Sequence, residues 1–202
     1  MIQGKKIIVI VTASIAAYKS ALLVRLLIKQ GADVQVLMSE SATEFITPLT
    51  LSTLSKKPVL IDFVKDKTGL WNNHVDLGLW ADLIIFAPAS ANSIAKCVHG
   101  LCDNLISAVY LSAKCPVFFA PAMDLDMYKH PSTQFNLKQL QTYGNQIIPS
   151  EFGELASGLI GEGRMAEPEH IIKFIERYFS SKNVFSGKKV LITAGATQEA
   201  ID

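Results

Sequence analysis

The chain has 202 residues, of which 50% are apolar and 18% are charged, and its formal net charge is +1. This composition excludes a disordered chain, and the length suits one domain, or one domain with part of a second. Basic residues form no block of the kind that binds nucleic acid or a membrane surface, so we expect neither partner.

The cysteines are three in number, Cys97, Cys102 and Cys115, and form no C-x-x-C pair. This pattern argues against a disulfide framework and against structural zinc, so we expect no metal and a reducing, cytoplasmic setting. Lys5 and Lys6 precede an apolar run that imitates a signal peptide. Its Ile and Val content favours a buried strand instead.

Strand and helix patterns alternate along the chain. Strands are predicted over residues 6–12, 34–38, 82–87, 116–120 and 146–148, with an extended piece at 58–63 and a polar loop at 64–75. Helices are predicted over residues 14–30, 91–98, 104–113, 132–143 and 168–180, with shorter ones from Ser41, in an S-x-x-E capping box, and from Pro48. The alternation predicts an α/β fold with a doubly wound, Rossmann-like, mostly parallel sheet of the flavodoxin-like three-layer type.

Ligands of such sheets bind beyond the carboxyl ends of the strands, near a switch point in the strand order. Ser14 follows the first strand, where free N–H groups and the helix dipole favour an anion, and Ser39 and Ser41 follow the second. Their alternative role is helix capping. The G-x-G-x-x-G and P-loop motifs are absent, but a nucleotide-type cofactor with a single phosphate is allowed.

The next two turns also carry candidate residues. Ser90, Asn92 and Ser93 stand among small residues that let a flat ring approach the backbone, or they simply start a helix. Met123 and Asp124 follow the next strand and suit a pocket wall or a structural turn.

Two further segments carry polar side chains suited to chemistry. His74 follows a polar loop, and a histidine can act as a general base near neutral pH. Residues 158–165 contain three glycines and Arg164, which predicts a mobile loop that closes over a substrate, or an exposed turn.

In this order the motifs resemble the homo-oligomeric flavin-containing Cys decarboxylases, most closely their coenzyme A biosynthesis members. The resemblance covers about residues 4–180 and is carried by Ser14-Ile15-Ala16-Ala17-Tyr18-Lys19, Asn73-His74-Val75, Pro88-Ala89-Ser90-Ala91-Asn92-Ser93-Ile94-Ala95-Lys96, Asp103-Asn104-Leu105, Pro121-Ala122-Met123 and Gly161-Glu162-Gly163-Arg164-Met165. The last residues resemble the opening of a CTP-dependent ligase domain. The resemblance thus implies a decarboxylase domain at 1–180, a linker at 181–187 and a truncated ligase start at 188–202.

The resemblance implies FMN held between the subunits of a trimer or dodecamer, and decarboxylation of 4'-phosphopantothenoylcysteine to 4'-phosphopantetheine. In that route the flavin oxidises the carbon bearing sulfur, CO2 leaves, and the reduced flavin returns the hydride. His74 falls at the position of the family's catalytic histidine. The implied cofactor contacts are Thr12, Ser14, Ile15, Ser39, Ser90, Asn92 and Ser93, and the implied substrate contacts are Asn73, Met123, Asp124 and Arg164.

Two residues depart from the family pattern. Asp124 stands where the family has an asparagine that contacts substrate, and an ionised carboxylate there would repel a substrate carboxylate. Ser157 stands at the position of the family's proton-donating cysteine, and serine is a poor proton donor to an enethiolate. An oxidative-only decarboxylase and a non-catalytic FMN-binding regulatory subunit therefore stay open as alternatives. The related prenyl-FMN synthases lack the Asn-His and Pro-Ala-Ser-Ala-Asn motifs.

Overall fold

The computed structural model describes residues 2–64 and 68–181. Within them a central sheet contains β1 (Lys6–Val11), β2 (Asp33–Met38), β3 (Leu83–Ala89), β4 (Val117–Pro121) and β5 (Gln146–Ile147), and a separate hairpin contains β6 (Glu151–Glu154) and β7 (Ile160–Arg164). The helices are α1 (Ala17–Lys29), α2 (Pro48–Ser55), α3 (His74–Trp80), α4 (Ala91–His99), α5 (Leu105–Ser112), α6 (Leu125–Lys129), α7 (Pro131–Thr142) and α8 (Pro168–Ser181), with a 3-10 helix at Glu40–Glu44.

The central sheet is parallel throughout and has the strand order β2-β1-β3-β4-β5. The order reverses at β1, because the chain goes from β1 to β2 on one side and later returns to β3 on the other. This is the flavodoxin-like order, in which ligands bind at the carboxyl ends of the strands beside the switch point. The predicted doubly wound α/β fold is confirmed.

Two apolar cores hold the sheet as the middle of three layers. Every residue of β3 is buried, as expected for a parallel strand that is covered on both faces. One face of the sheet packs against α1, α2 and α8, and the other packs against α4, α5 and α7. On the second face the rings of Phe86 and Phe119 stack with their centroids 4.5 Å apart. This packing fixes the strand ends relative to one another.

Two predicted helix starts differ from the structure. The helix α1 begins at Ala17 and not at Ser14, because the residues between them form a turn closed by a bond from the Ala17 N–H to the Ser14 carbonyl at 2.9 Å. Ser41 does not open a capping box, because the chain forms the short 3-10 helix there. Ser39 precedes that helix and makes no side-chain cap bond.

Other predictions agree with the structure more closely. The helix from Pro48 is confirmed, and the Thr47 hydroxyl caps it by accepting the Thr50 N–H. The extended piece at 58–63 contributes only an isolated bridge between Leu37 and Leu60.

Within the described ranges, none of the helices is both long enough and apolar enough to cross a bilayer.

The structure contains three elements that the sequence patterns did not predict, namely α3, α6 and the β6–β7 hairpin. The predicted loop at 64–75 ends early because α3 starts at His74, with Asn73 as its N-cap. The glycine-rich run was expected to be a loop, but most of it is β7. Its strand character was hidden because glycine has low strand propensity and tertiary contacts determine its pairing.

The predicted linker and ligase start lie in the last part of the chain. Ser181, the first residue of the predicted linker, belongs to α8. The remainder of the linker at 182–187 and the segment at 188–202 lie outside the described residues.

Candidate functional site

A continuous cleft crosses the carboxyl ends of the strands β1 to β4. It has two sections, of about 550 Å³ and about 560 Å³, which share wall residues Ala13, Ser90, Ala91 and Met127. We call the first the hairpin section, because the β6–β7 hairpin forms one of its walls, and the second the sheet-end section. Each has the size of a pocket for a small cofactor or substrate.

The sheet-end section contains a buried hydroxyl without a partner, the Oγ atom of Ser39. The Ser39 N–H donates to the Val11 carbonyl at 3.0 Å, which holds the residue at the end of β2. Its Oγ is buried and has no hydrogen-bond partner among the described residues. Because buried hydroxyls nearly always have partners, this atom is suited to bond a ligand in the cleft.

The turn before α1 presents a helix N-terminus to the hairpin section. The N-cap residue Ala16 makes no side-chain cap bond, and the first turn contains no acidic residue. Ser14 and Ile15 line the section, and Ser14 Oγ accepts the Ala16 N–H at 3.2 Å. The positive end of a 13-residue helix favours an anion at this position. The predicted phosphate contacts of Ser14 and Ile15 are compatible with this geometry and stay predictions.

Thr12 is fully buried and lines neither section of the cleft. Its hydroxyl donates to the Pro88 carbonyl at 2.8 Å and accepts the Ser90 N–H at 2.9 Å. These two bonds join the end of β1 to the end of β3 across the switch point. The Thr12 side chain therefore positions Ser90, and its predicted cofactor contact stays a prediction.

The helix α4 starts in the wall of the sheet-end section, with Ser90 as its N-cap. Ser90 Oγ accepts the Ser93 N–H at 3.4 Å and donates to the Ser93 hydroxyl at 3.2 Å. Asn92 is exposed and lines the same section as both serines. Ser90 thus caps α4, as its alternative role predicts. Since the Ser93 hydroxyl accepts the bond from Ser90, its own proton is available to a ligand.

The turn after β4 is held against β7 at very close range. The Met123 N–H donates to the Gly163 carbonyl at 3.0 Å, and a Cβ atom on Gly163 would overlap the Met123 carbonyl oxygen. Gly163 has a φ of +132°, which side chains rarely allow. The residues that follow on the two segments, Asp124 and Arg164, both line the hairpin section.

Asp124 and Ser157, the two departures from the family pattern, are hydrogen-bonded to each other. Ser157 Oγ donates to Asp124 Oδ1 at 3.0 Å, and the same oxygen accepts the Leu125 N–H at 2.7 Å. Both hydrogen bonds end on one oxygen of the Asp124 side chain, which has two acceptor lone pairs. The bond ties the tip of the hairpin to the turn after β4 and engages the Ser157 proton.

A buried lysine that was not predicted as a site residue anchors the hairpin. Lys19, in the first turn of α1, is 3% exposed. Its Nζ donates to the Met165 carbonyl at 2.8 Å and to Glu167 Oε1 at 2.9 Å, and the same Glu167 oxygen accepts from Arg164 at 2.6 Å. The hydrogen bond from Lys19 is the main reason why the pKa of Glu167 lies below its ordinary value of 4.5. The network joins the end of β7 to α1 in the wall of the cleft.

The sequence contained a signal for Lys19. It lies one turn before Leu23 and two turns before Leu27 on the same face of α1, and both leucines are fully buried. A lysine on an apolar helix face needs a buried partner, because an unpaired charge is costly in the interior. The identity of the partner was not readable, because Glu167 is 148 residues further along the chain.

Asn73 and His74 lie at the start of α3, beside the cleft and outside its walls. The Asn73 side chain accepts two N–H groups of the first turn. The His74 ring packs edgewise near Phe63 and Trp71, with centroids 6.0 and 5.9 Å apart, and its Nδ1 is buried without a partner among the described residues. Phe63 lines the sheet-end section, whereas His74 lines neither section. One chain alone therefore does not bring His74 together with Ser14 and Arg164.

The cleft brings together most of the residues predicted for the site. Those that line it are Ser14, Ile15, Ser39, Ser90, Asn92, Ser93, Met123, Asp124, Ser157 and Arg164. Cys97 also lines the sheet-end section, but burial raises the pKa of its thiol to about 12, which disfavours the nucleophilic thiolate. The part of the chain that the structure describes contains no group of three His, Cys, Asp or Glu side chains that could hold a metal ion.

The sheet is open and parallel, the turn after β1 favours an anion, and the turn after β2 contains an unpaired hydroxyl. These features define a class of protein that binds a phosphate-bearing cofactor at the switch point. The chain belongs to the Flavoprotein family, whose model matches residues 1–180.

Two curated relatives are similar over much of the chain. A cysteine/cysteine sulfinic acid decarboxylase from an unknown prokaryotic organism is 56% identical over 161 residues, which cover 78% of this chain and 45% of the relative. The coenzyme A biosynthesis bifunctional protein CoaBC of Bacillus subtilis (strain 168) is 41% identical over 204 residues, which cover 100% of this chain and 50% of the relative. The chain thus spans about half the length of each of these relatives.

Two solved structures share the fold. A Cys-to-Ser mutant of PPC decarboxylase complexed with pantothenoylaminoethenethiol has a TM-score of 0.78 and 31% identity, covering 88% of this chain and 100% of that one. The FMN binding protein AtHal3 has a TM-score of 0.76 and 30% identity, covering 89% of this chain and 98% of that one.

Proposed function

We propose that this chain is an FMN-dependent decarboxylase that converts 4'-phosphopantothenoylcysteine to 4'-phosphopantetheine in coenzyme A biosynthesis. Support comes from membership of the Flavoprotein family, from the identity to CoaBC along the whole chain, and from the similarity to PPC decarboxylase and AtHal3. The structural observation that carries the proposal is the cleft at the switch point, in which the unpaired Ser39 hydroxyl lines one section and the α1 N-terminus the other.

The residues of the cleft fit FMN. Its single phosphate matches the α1 N-terminus, where Ser14 offers a hydroxyl and no acidic residue stands in the first turn. Small side chains, Ala13 and Ala91, line both sections and leave room for a flat ring against the backbone. Ser39 supplies an unused hydroxyl within hydrogen-bonding reach of a bound group in the sheet-end section. No dinucleotide motif is needed for a cofactor with one phosphate.

The protein residues would bind and orient the substrate around this cofactor. FMN, when bound, supplies a reversible hydride acceptor for the carbon that bears sulfur, which prepares the neighbouring carboxylate to leave as CO2. Arg164 in the hairpin section provides a guanidinium for the carboxylate end of the substrate. The hairpin forms one wall of that section. His74 acts as the general base that accepts a proton from the substrate.

We further propose that His74 acts in the cleft of a second copy of the chain. Within one chain the His74 ring lies behind Phe63 and outside both sections. Around it, Trp71, Val75 and Leu79 expose apolar side chains, with 50%, 46% and 64% of their surfaces accessible. An apolar patch beside an unpaired buried imidazole nitrogen suits a subunit interface. A trimer, alone or within a dodecamer, is the assembly that we expect.

A second candidate substrate is a free amino acid, cysteine or cysteine sulfinic acid. The relative that is 56% identical is named for this activity. The Asp124 carboxylate in the wall of the hairpin section favours it as well, because a carboxylate can pair with the ammonium group of a free amino acid.

The natural setting is also part of the proposal. The identity to CoaBC covers 50% of that bifunctional protein. We therefore propose that a CTP-dependent ligase domain begins near residue 188 in the natural chain, after a linker that follows the end of α8 at Ser181. We also propose that the protein acts in the cytoplasm.

The decisive experiment measures CO2 release from carboxyl-labelled 4'-phosphopantothenoylcysteine by the FMN-loaded protein, with mass analysis of the thiol product. We expect CO2 and 4'-phosphopantetheine. His74→Asn should retain FMN and release no CO2, whereas the control His99→Asn, at the exposed end of α4, should match the wild type.

Two other outcomes would change the assignment. CO2 together with a product that lacks two hydrogens would show that only the oxidative half operates, as expected if Ser157 cannot replace the family cysteine. An FMN-loaded protein that releases no CO2 from this substrate, cysteine or cysteine sulfinic acid would refute the decarboxylase and favour the regulatory subunit.

A further inference from the structure

One carboxylate oxygen in the hairpin section is unused. Asp124 Oδ1 accepts two hydrogen bonds, from Ser157 Oγ at 3.0 Å and from the Leu125 N–H at 2.7 Å. Oδ2 receives no hydrogen bond from any residue in the described ranges, and Asp124 is half-buried in the wall of the section. A carboxylate in the wall of a cleft, with two donors on one oxygen and none on the other, is a ready acceptor for a cationic donor.

The two basic side chains in the same wall, Lys19 and Arg164, both bond to Glu167. Lys19 Nζ is used by the Met165 carbonyl and by Glu167, and Arg164 bonds to Glu167. Neither side chain makes an ion pair with Asp124 in the structure. A half-buried carboxylate without a counter-charge gains from a cation that enters with the ligand.

Arg164 supplies the complementary charge for such a ligand. Its guanidinium has five donors, of which Glu167 takes one, and 40% of the side chain is exposed. The Met123 N–H donates to the Gly163 carbonyl at 3.0 Å. Asp124 follows Met123 directly in the sequence, and Arg164 follows Gly163. The carboxylate and the guanidinium therefore lie on adjoining segments. Together they match the ammonium and carboxylate groups on the α-carbon of a free amino acid.

We propose that Asp124, positioned by Ser157, is a specificity-determining residue that admits free amino acids of the cysteine type to the cleft. The inference rests on the proposed decarboxylation and deepens its second candidate substrate, the free amino acid. Acylation of the α-nitrogen removes its charge, so an N-acylated cysteine gains nothing from Asp124. An asparagine at this position would lack the charge that distinguishes the two substrate classes.

The test compares two unreactive ligands that differ only in the acyl group, S-methyl-L-cysteine and N-acetyl-S-methyl-L-cysteine. Their binding to the FMN-loaded protein is measured by calorimetry, so the readout does not depend on turnover. We expect the wild type to bind the free amino acid more tightly, and Asp124→Asn to reduce this preference at least about tenfold, as loss of a charge-assisted bond requires. Asp126→Asn, two residues further on and exposed, is the control with the same charge change and should keep the preference.

The Ser157 variants test the positioning role separately. Ser157→Ala should weaken the preference for the free amino acid by a smaller factor, and Ser157→Thr, which keeps the hydroxyl, should restore it. Equal binding of the two ligands by the wild type, or an unchanged preference in Asp124→Asn, would overturn the inference. Failure of the proposed function would look different, because CO2 would then be released from neither substrate class whatever the binding preference.

Discussion

Two buried polar atoms without a partner in the described chain, Ser39 Oγ and His74 Nδ1, belong to residues that the sequence predicted for the site. Leaving such a group unpaired costs about 1–3 kcal/mol, so a partner outside the isolated chain would stabilise each of these two residues. For Ser39 the use that we propose is a bound flavin, and for His74 a neighbouring subunit and its substrate. Both proposed uses require a bound ligand or a neighbouring subunit.

Ser39→Ala tests the first of these uses. It removes an unsatisfied hydroxyl, so the flavin-free protein should be as stable as the wild type or up to about 1 kcal/mol more stable. FMN affinity should fall about tenfold, because one hydrogen bond to the cofactor is lost. Fluorescence titration with FMN and urea denaturation measure the two effects. Ser52→Ala is the control, because the Ser52 hydroxyl bonds to the Leu49 carbonyl within α2. Unchanged FMN affinity in Ser39→Ala would remove Ser39 from the site.

Among the elements, the β6–β7 hairpin forms one wall of the hairpin section. It is joined to the core by the Met123–Gly163 bond, by the Asp124–Ser157 bond and by the bonds of Glu167 to Lys19 and Arg164. These attachments place the hairpin over the cleft. Changes at them should affect substrate binding in the hairpin section more than the proposed contact of the flavin with Ser39 in the sheet-end section.

Gly163→Ala should displace the hairpin. The added methyl group would overlap the Met123 carbonyl oxygen, so we expect a loss of stability of about 2–3 kcal/mol and a strong loss of substrate binding. Gly158→Ala is the matched control. Gly158 also has a positive φ, +83°, but no heavy atom lies within 4 Å of the added Cβ, so the cost should be about 1 kcal/mol. Urea denaturation and ligand calorimetry compare the variants, and equal effects would contradict the close approach.

Glu167→Gln tests the network that anchors the hairpin. The pKa of Glu167 is lowered in the folded chain, mainly by the hydrogen bond from Lys19, so the ionised carboxylate stabilises the fold above its ordinary pKa of 4.5. This stability is lost as the pH falls through the lowered value. At neutral pH the variant should be about 2 kcal/mol less stable, because Lys19 loses its counter-charge. The difference should shrink as the pH falls below 4.5 and through the lowered pKa of Glu167, as measured by urea denaturation. A difference that does not depend on pH would contradict the role of the ion pair.

The fold was predictable from periodicity, because parallel strands buried on both faces are strongly apolar and are followed by amphipathic helices. The hairpin and α6 were not, because they are short and depend on contacts between distant residues. Gly163 shows the limit clearly. Its three-glycine run indicated a loop, but its conformation depends on Met123, which is far away in the sequence.

At the scale of the whole molecule, a single chain separates residues that the proposed chemistry needs together. The cleft contains Ser14, Asp124 and Arg164, whereas His74 lies outside it. The motifs predicted all four residues, but motif order in one chain contains no information on which copy supplies which residue. Ser157 illustrates the same limit at closer range. The sequence shows that a serine replaces the family cysteine at residue 157, but it does not predict the hydrogen bond from Ser157 to Asp124.

Mixing two inactive variants tests the assembly. His74→Asn should lack the base, and Arg164→Ala should lack the substrate contact, so each should be inactive alone. If His74 acts in the cleft of another copy, subunit exchange between the two should restore part of the CO2 release, because some interfaces combine an intact His74 with an intact cleft. Sedimentation analysis checks whether the wild type and both variants form the proposed oligomer. No recovery after proven exchange would place His74 and the cleft in the same chain.

The central claim is that a flavin occupies the cleft at the switch point, and a visible spectrum with an FMN titration of the purified protein tests it most directly. We predict an oxidised-flavin absorption band and saturation at one FMN per chain. A protein that is colourless and does not bind added FMN would contradict the account.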